Sequence, residues 1–424
     1  MPRSIRIVTF LALASHWVWF SWAQPTPTPT PATKWIYLAP DDHTDYFWSA
    51  DEVTYKTAFL NMLDYYLDQA DATDREPSEF QSRWNCDGSF WLWTYEQNKP
   101  PADFERLMAR VADGHINAPL NGLSVTLGGA PAEAILRGMY YPGHLERRYG
   151  VRFRIAMAME NQTMPYGIGA LWAGSGAKYC WQGICDCNSA VDGADDRQHD
   201  AYWWNAQDGS RLLVKWNSKL GSNESMGGYA EARYPATVVD FVDTNTAFKS
   251  RYPYSVIGAF GQGWDDTQTT NQAIVDAAIA KTTSQRKVIV SNEVDFFTHF
   301  EDLHGVGLPT LAVSFGNDWD LYCAAMAEVS ARVKRAVEKL RGAEAMATLV
   351  SLHNPNFMNG REAARDLAWM DLGIFWEHNW GVVGLGSTMR DARIAWQKRI
   401  TGEIEAYANQ LYSDAAAALS GKVP

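Results

Sequence analysis

The chain has 424 residues, 46% of them hydrophobic and 20% charged, enough to build a large core and too apolar for a disordered polypeptide. With 37 Lys and Arg against 49 Asp and Glu, and no basic run, the net charge of −12 gives nucleic acid or an anionic membrane no electrostatic footing. The 19 Trp, 19 Tyr and 17 Phe lean the composition toward a carbohydrate-handling protein, because rigid aromatic rings stack on the apolar faces of sugars as well as filling cores.

In chain order, Arg3 and Arg6 precede an apolar run from Ile7 to Trp22 that closes on Ser21-Trp22-Ala23. This predicts a secretory signal peptide over residues 1–23 and a secreted or periplasmic protein. The run is too short for a bilayer-spanning helix, so no membrane span is expected in the mature chain. Residues 24–33 form a Pro/Thr-rich linker of extended character. Of five cysteines, Cys180, Cys185 and Cys187 cluster as Cys-x4-Cys-x-Cys, a spacing that lacks the paired Cys-x-x-Cys of structural zinc sites and suggests a local disulfide.

Short apolar or aromatic runs at Trp35–Leu38, Phe153–Met159, Leu212–Trp216, Ser255–Phe260 and Lys287–Val290 predict buried strands. Between them, Tyr55, Phe59, Met62, Leu63, Tyr66 and Leu67 have helical spacing, as do 103–112 and 270–280. Such alternation is the pattern of an α/β fold with a parallel sheet, open or closed into a barrel, and Asp208-Gly209 marks one hairpin. Four of these strands run into carboxylate-bearing segments: Asp41, Asp42, His43 and Asp45 after the first, then Glu160, then Trp264, Asp265 and Asp266, then Asn292 and Glu293. In parallel folds the carboxyl ends of strands converge on one face, where catalytic groups sit. Asp and Asn at such positions also cap helices, and both readings stand for Asp41, Asp42 and Asn292. From about Asp318 the pattern becomes helical, with Leu321, Ala325, Val329, Val333, Ala336 and Leu340 on one stripe and Trp396, Ile400, Ile404, Tyr407 and Leu411 on another. The segment Phe375-Trp-Glu-His-Asn-Trp-Gly381 is too aromatic for a solvent loop and is expected to tuck against the strands.

Taken in order, His43-Thr-Asp45-Tyr-Phe-Trp48, the Glu160–Gly176 segment, Gly263-Trp264-Asp265-Asp266 and Glu377-His378-Asn379 resemble the motifs of glycoside hydrolase family 38, the retaining α-mannosidases. The likeness runs from about Trp35 to Tyr412. It implies a seven-stranded β/α barrel over 34–310 followed by a three-helix bundle over 311–424 that contributes to the site. It also implies one Zn2+ ion held by His43, Asp45, Glu160 and His378, with Glu160 as nucleophile. By the same likeness Asp266, or alternatively Asp265, is expected to be the general acid and base, and Trp48, Asp87, Trp264, Trp376 and Asn379 are expected to contact a glycan substrate. Where the family reads Asp-Pro-Phe-Gly-His-Ser, this sequence has Glu160-Asn-Gln-Thr-Met-Pro165, so the reactive oxygen is displaced unless the backbone retreats. Asn379 replaces an Asp and removes a negative charge. Two other readings fit the residues: a metal-dependent carbohydrate deacetylase with Asp42 as base, and a carbohydrate-binding relative without catalysis.

Overall fold

A computed structural model describes residues 33–160, 163–184, 198–216, 228–265, 267–316, 318–379 and 386–420. The leader, nearly all of the linker, Cys185, Cys187 and Asp266 lie outside these residues. The strand Lys34–Ala39 pairs in parallel with both Arg286–Val290 and Val256–Phe260, setting Ile36 opposite Val288 and Ile257. A second sheet has the order Thr310–Leu311, Ala201–Asn205, Arg211–Trp216, Tyr179–Gly183, Ile155–Met159, parallel except for the 201–205/211–216 hairpin. The turn falls where the sequence puts it. Asp208 accepts from the Ser210 N–H at 3.0 Å, and Gly209 takes the left-handed conformation (φ +84°) that a side chain would resist. Two shorter parallel pairs join Asp42–His43 to Gly263–Trp264 and Trp84–Asn85 to Ile116–Asn117.

Every residue of Ile155–Met159 and of Val256–Phe260 is buried, as expected of strands covered on both faces. Further hydrogen bonds tie the strands to neighbouring segments: Asn85 N–H to the Pro40 carbonyl (3.0 Å), Leu120 N–H to the Ile155 carbonyl (2.9 Å) and Glu231 N–H to the Phe260 carbonyl (2.7 Å). The first long helix, Glu52–Thr73, starts where the Asp51 carboxylate accepts from the Thr54 N–H at 2.9 Å. It buries the predicted stripe from Tyr55 to Leu67. Pro101–Ala112 and Gln272–Lys281 are helices, as their spacing predicts.

The C-terminal part consists of the helices Ala327–Ser351, Glu362–Ile374 and Ser387–Ser420. Val333, Leu340, Trp396, Ile400 and Ile404 meet in one core with residues of the strand region. Leu321 departs from its predicted stripe. It is 70% exposed on the 3-10 segment Asp318–Met326, whose tighter pitch takes it off the face that the α-helix buries from Val329 on. Helix Glu362–Ile374 crosses Ala132–Gly138 glycine on glycine: a Cβ added to Gly373 would stand 2.4 Å from the Gly138 Cα. Cys86, Cys180 and Cys323 carry free thiols, so Cys180 does not join the disulfide expected of its cluster; its sulfur is buried on a strand. No helix among the described residues is long and apolar enough to cross a membrane.

Candidate metal centre

Four side chains from three separated parts of the chain meet at the ends of these strands. His43 ends a two-residue strand whose backbone pairs with Trp264, and Asp45 follows two residues on. Glu160 immediately follows the strand Ile155–Met159. His378 arrives from the helical part, because its segment is zipped onto residues 124–126. Thr126 N–H donates to the Trp376 carbonyl (2.8 Å), His378 N–H donates to Ser124 (3.0 Å), and Glu377 bridges Val125. All four are buried, and their ligand atoms lie within 4.8 Å of one another.

The geometry is that of a cation cage. His43 Nε2 and His378 Nε2 face each other at 3.2 Å, with Asp45 Oδ1 at 3.3 and 2.6 Å from them. Glu160 offers Oε2 to His378 at 3.2 Å and Oε1 to His43 at 3.8 Å. Two buried ring nitrogens at that distance repel if both present lone pairs or both present N–H. A cation between them and two carboxylates uses all four donors at once, and tetrahedral bonds of about 2.1 Å give donor separations of about 3.4 Å. The residues therefore fit a divalent ion, and the cluster could hold one. Without an ion it holds protons. Burial by itself depresses His43, but Asp45, Asp87 and Glu160 outweigh it and raise the pKa to about 9. His378 is likewise driven up against burial by Glu377, Glu160 and Asp45. Asp45, although buried, is held well below the usual carboxylate range by the two histidines.

Carboxylates flank both rings. Glu377 places an oxygen 2.8 Å from His378 Nδ1 and is itself bound by Arg393, which also donates to the Tyr46 carbonyl at 2.8 Å. Asp87 accepts from the Thr44 N–H (2.7 Å) with an oxygen 3.8 Å from His43 Nδ1; burial pushes its pKa up to about 6. Such carboxylate partners orient imidazole ligands and raise their basicity. Tyr229 lies against the His43 ring (centroids 4.1 Å), and Trp319 lies parallel to His378 at 6.3 Å.

Glu160 has φ +54°, a left-handed backbone that non-glycine residues rarely adopt. Its N–H donates to the Gly183 carbonyl at 2.7 Å. The chain turns directly at Glu160, and the side chain reaches the cluster. Asp265 is also left-handed, at φ +63°. Its two oxygens accept from the Tyr55 hydroxyl (2.7 and 2.6 Å), one from the Ser49 hydroxyl, and one from the Asp45 N–H at 3.3 Å. Burial, then the Asp45 charge, raises its pKa to about 8.

Of the expected substrate contacts, Trp48 is 46% exposed beside the left-handed Phe47, while Asp87 is buried behind His43. Trp264 is described in its backbone alone, paired with His43. Trp376 is buried in the core rather than on an open wall. Asn379, half-buried, donates its N–H to Glu377 at 3.3 Å. The structure adds Tyr55, Tyr229, Trp319, Glu377 and Arg393. Only Glu377, next to His378, has a position in the sequence that hints at its role.

Two histidines and two carboxylates that could hold a metal ion thus meet, buried, at the strand ends of an α/β fold, one of them supplied by the helical part. Solved structures match that fold. An alpha-mannosidase from Enterococcus faecalis V583 superimposes with a TM-score of 0.69 at 14% identity, over 92% of this chain and 43% of that one. A protein in glycosyl hydrolase family 38, also from Enterococcus faecalis, gives 0.63 at 15% identity, over 92% and 41%. The chain thus spans less than half the length of these structures, and at such identity the likeness is one of fold. No protein-family model and no curated protein matches the sequence.

Proposed function

We propose that this chain is an exported, metal-dependent retaining glycosidase acting on α-mannosides or closely related glycans. The observation that carries the reading is the convergence of His43, Asp45, Glu160 and His378 on one buried point, in a fold shared with family 38 structures. Two imidazoles and two carboxylates suit zinc, which when bound would grip adjacent sugar hydroxyls and favour ring distortion. The Glu160 carboxylate attacks the anomeric carbon as the bond to the leaving oxygen breaks. Asp266 gives that oxygen its proton, then takes one from the water that releases the sugar. Retaining pairs work with carboxyl groups about 5–5.5 Å apart. Asp265, the residue before Asp266, is held by Tyr55 and Ser49. In this reading the strands close into a seven-stranded barrel, and the leader over residues 1–23 directs export. The deacetylase reading has less support: Asp42, the base it needs, accepts from the Thr269 hydroxyl at 3.0 Å.

The test combines metal analysis with turnover of a fluorogenic α-mannoside. The expected result is one zinc per chain, lost in His43→Ala and in His378→Ala, and a rate that Glu160→Gln lowers by about 10³-fold or more. An unchanged rate in Glu160→Gln removes it from the nucleophile role, and failure to take up metal ends the reading.

A further inference from the structure

Arg393, on the last helix Ser387–Ser420, is fully buried. One of its guanidinium nitrogens, Nη1, donates to the Tyr46 carbonyl at 2.8 Å and to the Glu377 carboxylate. The other, Nη2, donates to the Glu377 carbonyl at 3.3 Å. Tyr46 directly follows Asp45, and Glu377 directly precedes His378. A single side chain thus bonds to two of the three segments that bring cage residues, one from the strand region and one from the helical part. The rings of Trp396 and Phe47 lie 4.6 and 5.8 Å from its central carbon.

Stability alone does not call for this pair. Removing two charges from water is unfavourable, and apolar residues of similar volume often replace a buried ion pair without loss. They cannot supply a planar fork whose donors fix the spacing of two acceptors. At the cage that spacing matters. Asp45 Oδ1 stands 2.6 Å from His378 Nε2 in a cluster whose ligand atoms lie within 4.8 Å of one another, and a bound ion tolerates changes of only about 0.2 Å in its bond lengths. Glu377 carries the constraint to the imidazole, with an oxygen 2.8 Å from His378 Nδ1.

From this we infer that Arg393 is a positioning residue of the metal centre, which clamps the Asp45 and His378 arms at the separation an ion requires and, through Glu377, orients the His378 ring; this rests on the metal reading of the cage and not on the sugar chemistry. The test measures zinc affinity by chelator competition, the visible spectrum of the cobalt(II)-substituted protein, and Tm with and without metal. The variants are Arg393→Lys, Arg393→Met and the double variant Glu377→Gln/Arg393→Met. Zinc affinity is expected to fall about 10–100-fold in Arg393→Met, and by a smaller factor in Arg393→Lys, which keeps the charge and a donor. The cobalt bands, which report ligand geometry, should shift in Arg393→Met. The double variant removes the unpaired buried carboxylate, so its metal-free Tm should return close to that of the parent while its zinc affinity stays weak. Lowered Tm with unchanged zinc affinity and an unchanged cobalt spectrum in both single variants would make the pair a matter of packing and overturn the clamp. Parental zinc affinity in the double variant would overturn it as well. Should Arg393→Met fail to fold, Arg393→Lys and the double variant decide by the same criteria. A parent chain that takes up neither zinc nor cobalt ends the metal reading itself, which keeps the two failures apart.

Discussion

At the scale of single residues, the most informative departure is Glu160. A Glu carries its carboxylate one methylene further from the backbone than an Asp, and the chain at that residue lies in the left-handed region. Left-handed non-glycine residues cost of order 1–3 kcal/mol and gather at functional sites. Phe47 and Asp265 share the conformation around the same centre. The Glu side chain and the bent backbone are thus matched, and Glu160→Asp should not restore a family-like site. It should withdraw the oxygen from His378 by about 1.5 Å and weaken zinc affinity by about tenfold or more in a chelator competition, with little change in Tm. Unweakened zinc binding by that variant would show that the backbone follows the shorter side chain. The four cage residues were legible because motif order and strand ends located each of them. The left-handed turns, and Tyr229 and Trp319 against the imidazoles, were not. Those contacts join residues far apart in sequence, and nothing local to an aromatic residue tells stacking on a ligand histidine from ordinary core packing.

Among elements, the one that decides the site is the helix Glu362–Ile374, since His378 follows it by four residues. Its place depends on the glycine contact with Ala132–Gly138, where the two backbones approach too closely for any side chain. Gly373→Ala should force the helices apart, lower stability by about 1–3 kcal/mol and reduce bound zinc below one per chain. Thermal unfolding and elemental analysis check both effects. Retention of full zinc with lowered Tm would mean that the 124–126 pairing positions His378 without the helix. Strand positions were readable because parallel strands are continuous apolar runs, and those at 35–38, 256–260 and 287–290 sit within a residue or two of expectation. The glycine crossing was hidden, since Gly138 and Gly373 look like ordinary helix-weakening residues until the two helices are seen to touch. The 3-10 start of the helical region was hidden too, because a three-residue pitch and an α pitch share most apolar positions over two turns.

Across the whole molecule, the interior behind the cage is acidic. Asp41 and Glu293 are fully buried with no hydrogen-bond partner for their side-chain oxygens, and Asp87 lies with them. Burial is the main cause that pushes Glu293 well above its ordinary value; the Asp87 charge adds to it, and Lys215, bound to Glu231, opposes it. A carboxyl whose pKa is raised on folding holds more protons in the native state, so its contribution is fully present below the unfolded value of about 4.5 and is lost as pH climbs through the folded one. His43, raised to about 9, acts in the same direction in the metal-free protein. With zinc removed by chelator, Tm should therefore fall as pH rises from 4.5 toward 9. Glu293→Gln, which keeps the shape of the protonated acid and cannot ionise, should match the parent at pH 4 and exceed it at pH 8. The comparison isolates one group from the general self-repulsion of a chain at −12. Parallel curves, with the variant lower by the same amount at every pH, would instead place an ionised Glu293 against Lys215, and the buried acids would then be a charge network rather than a store of protons.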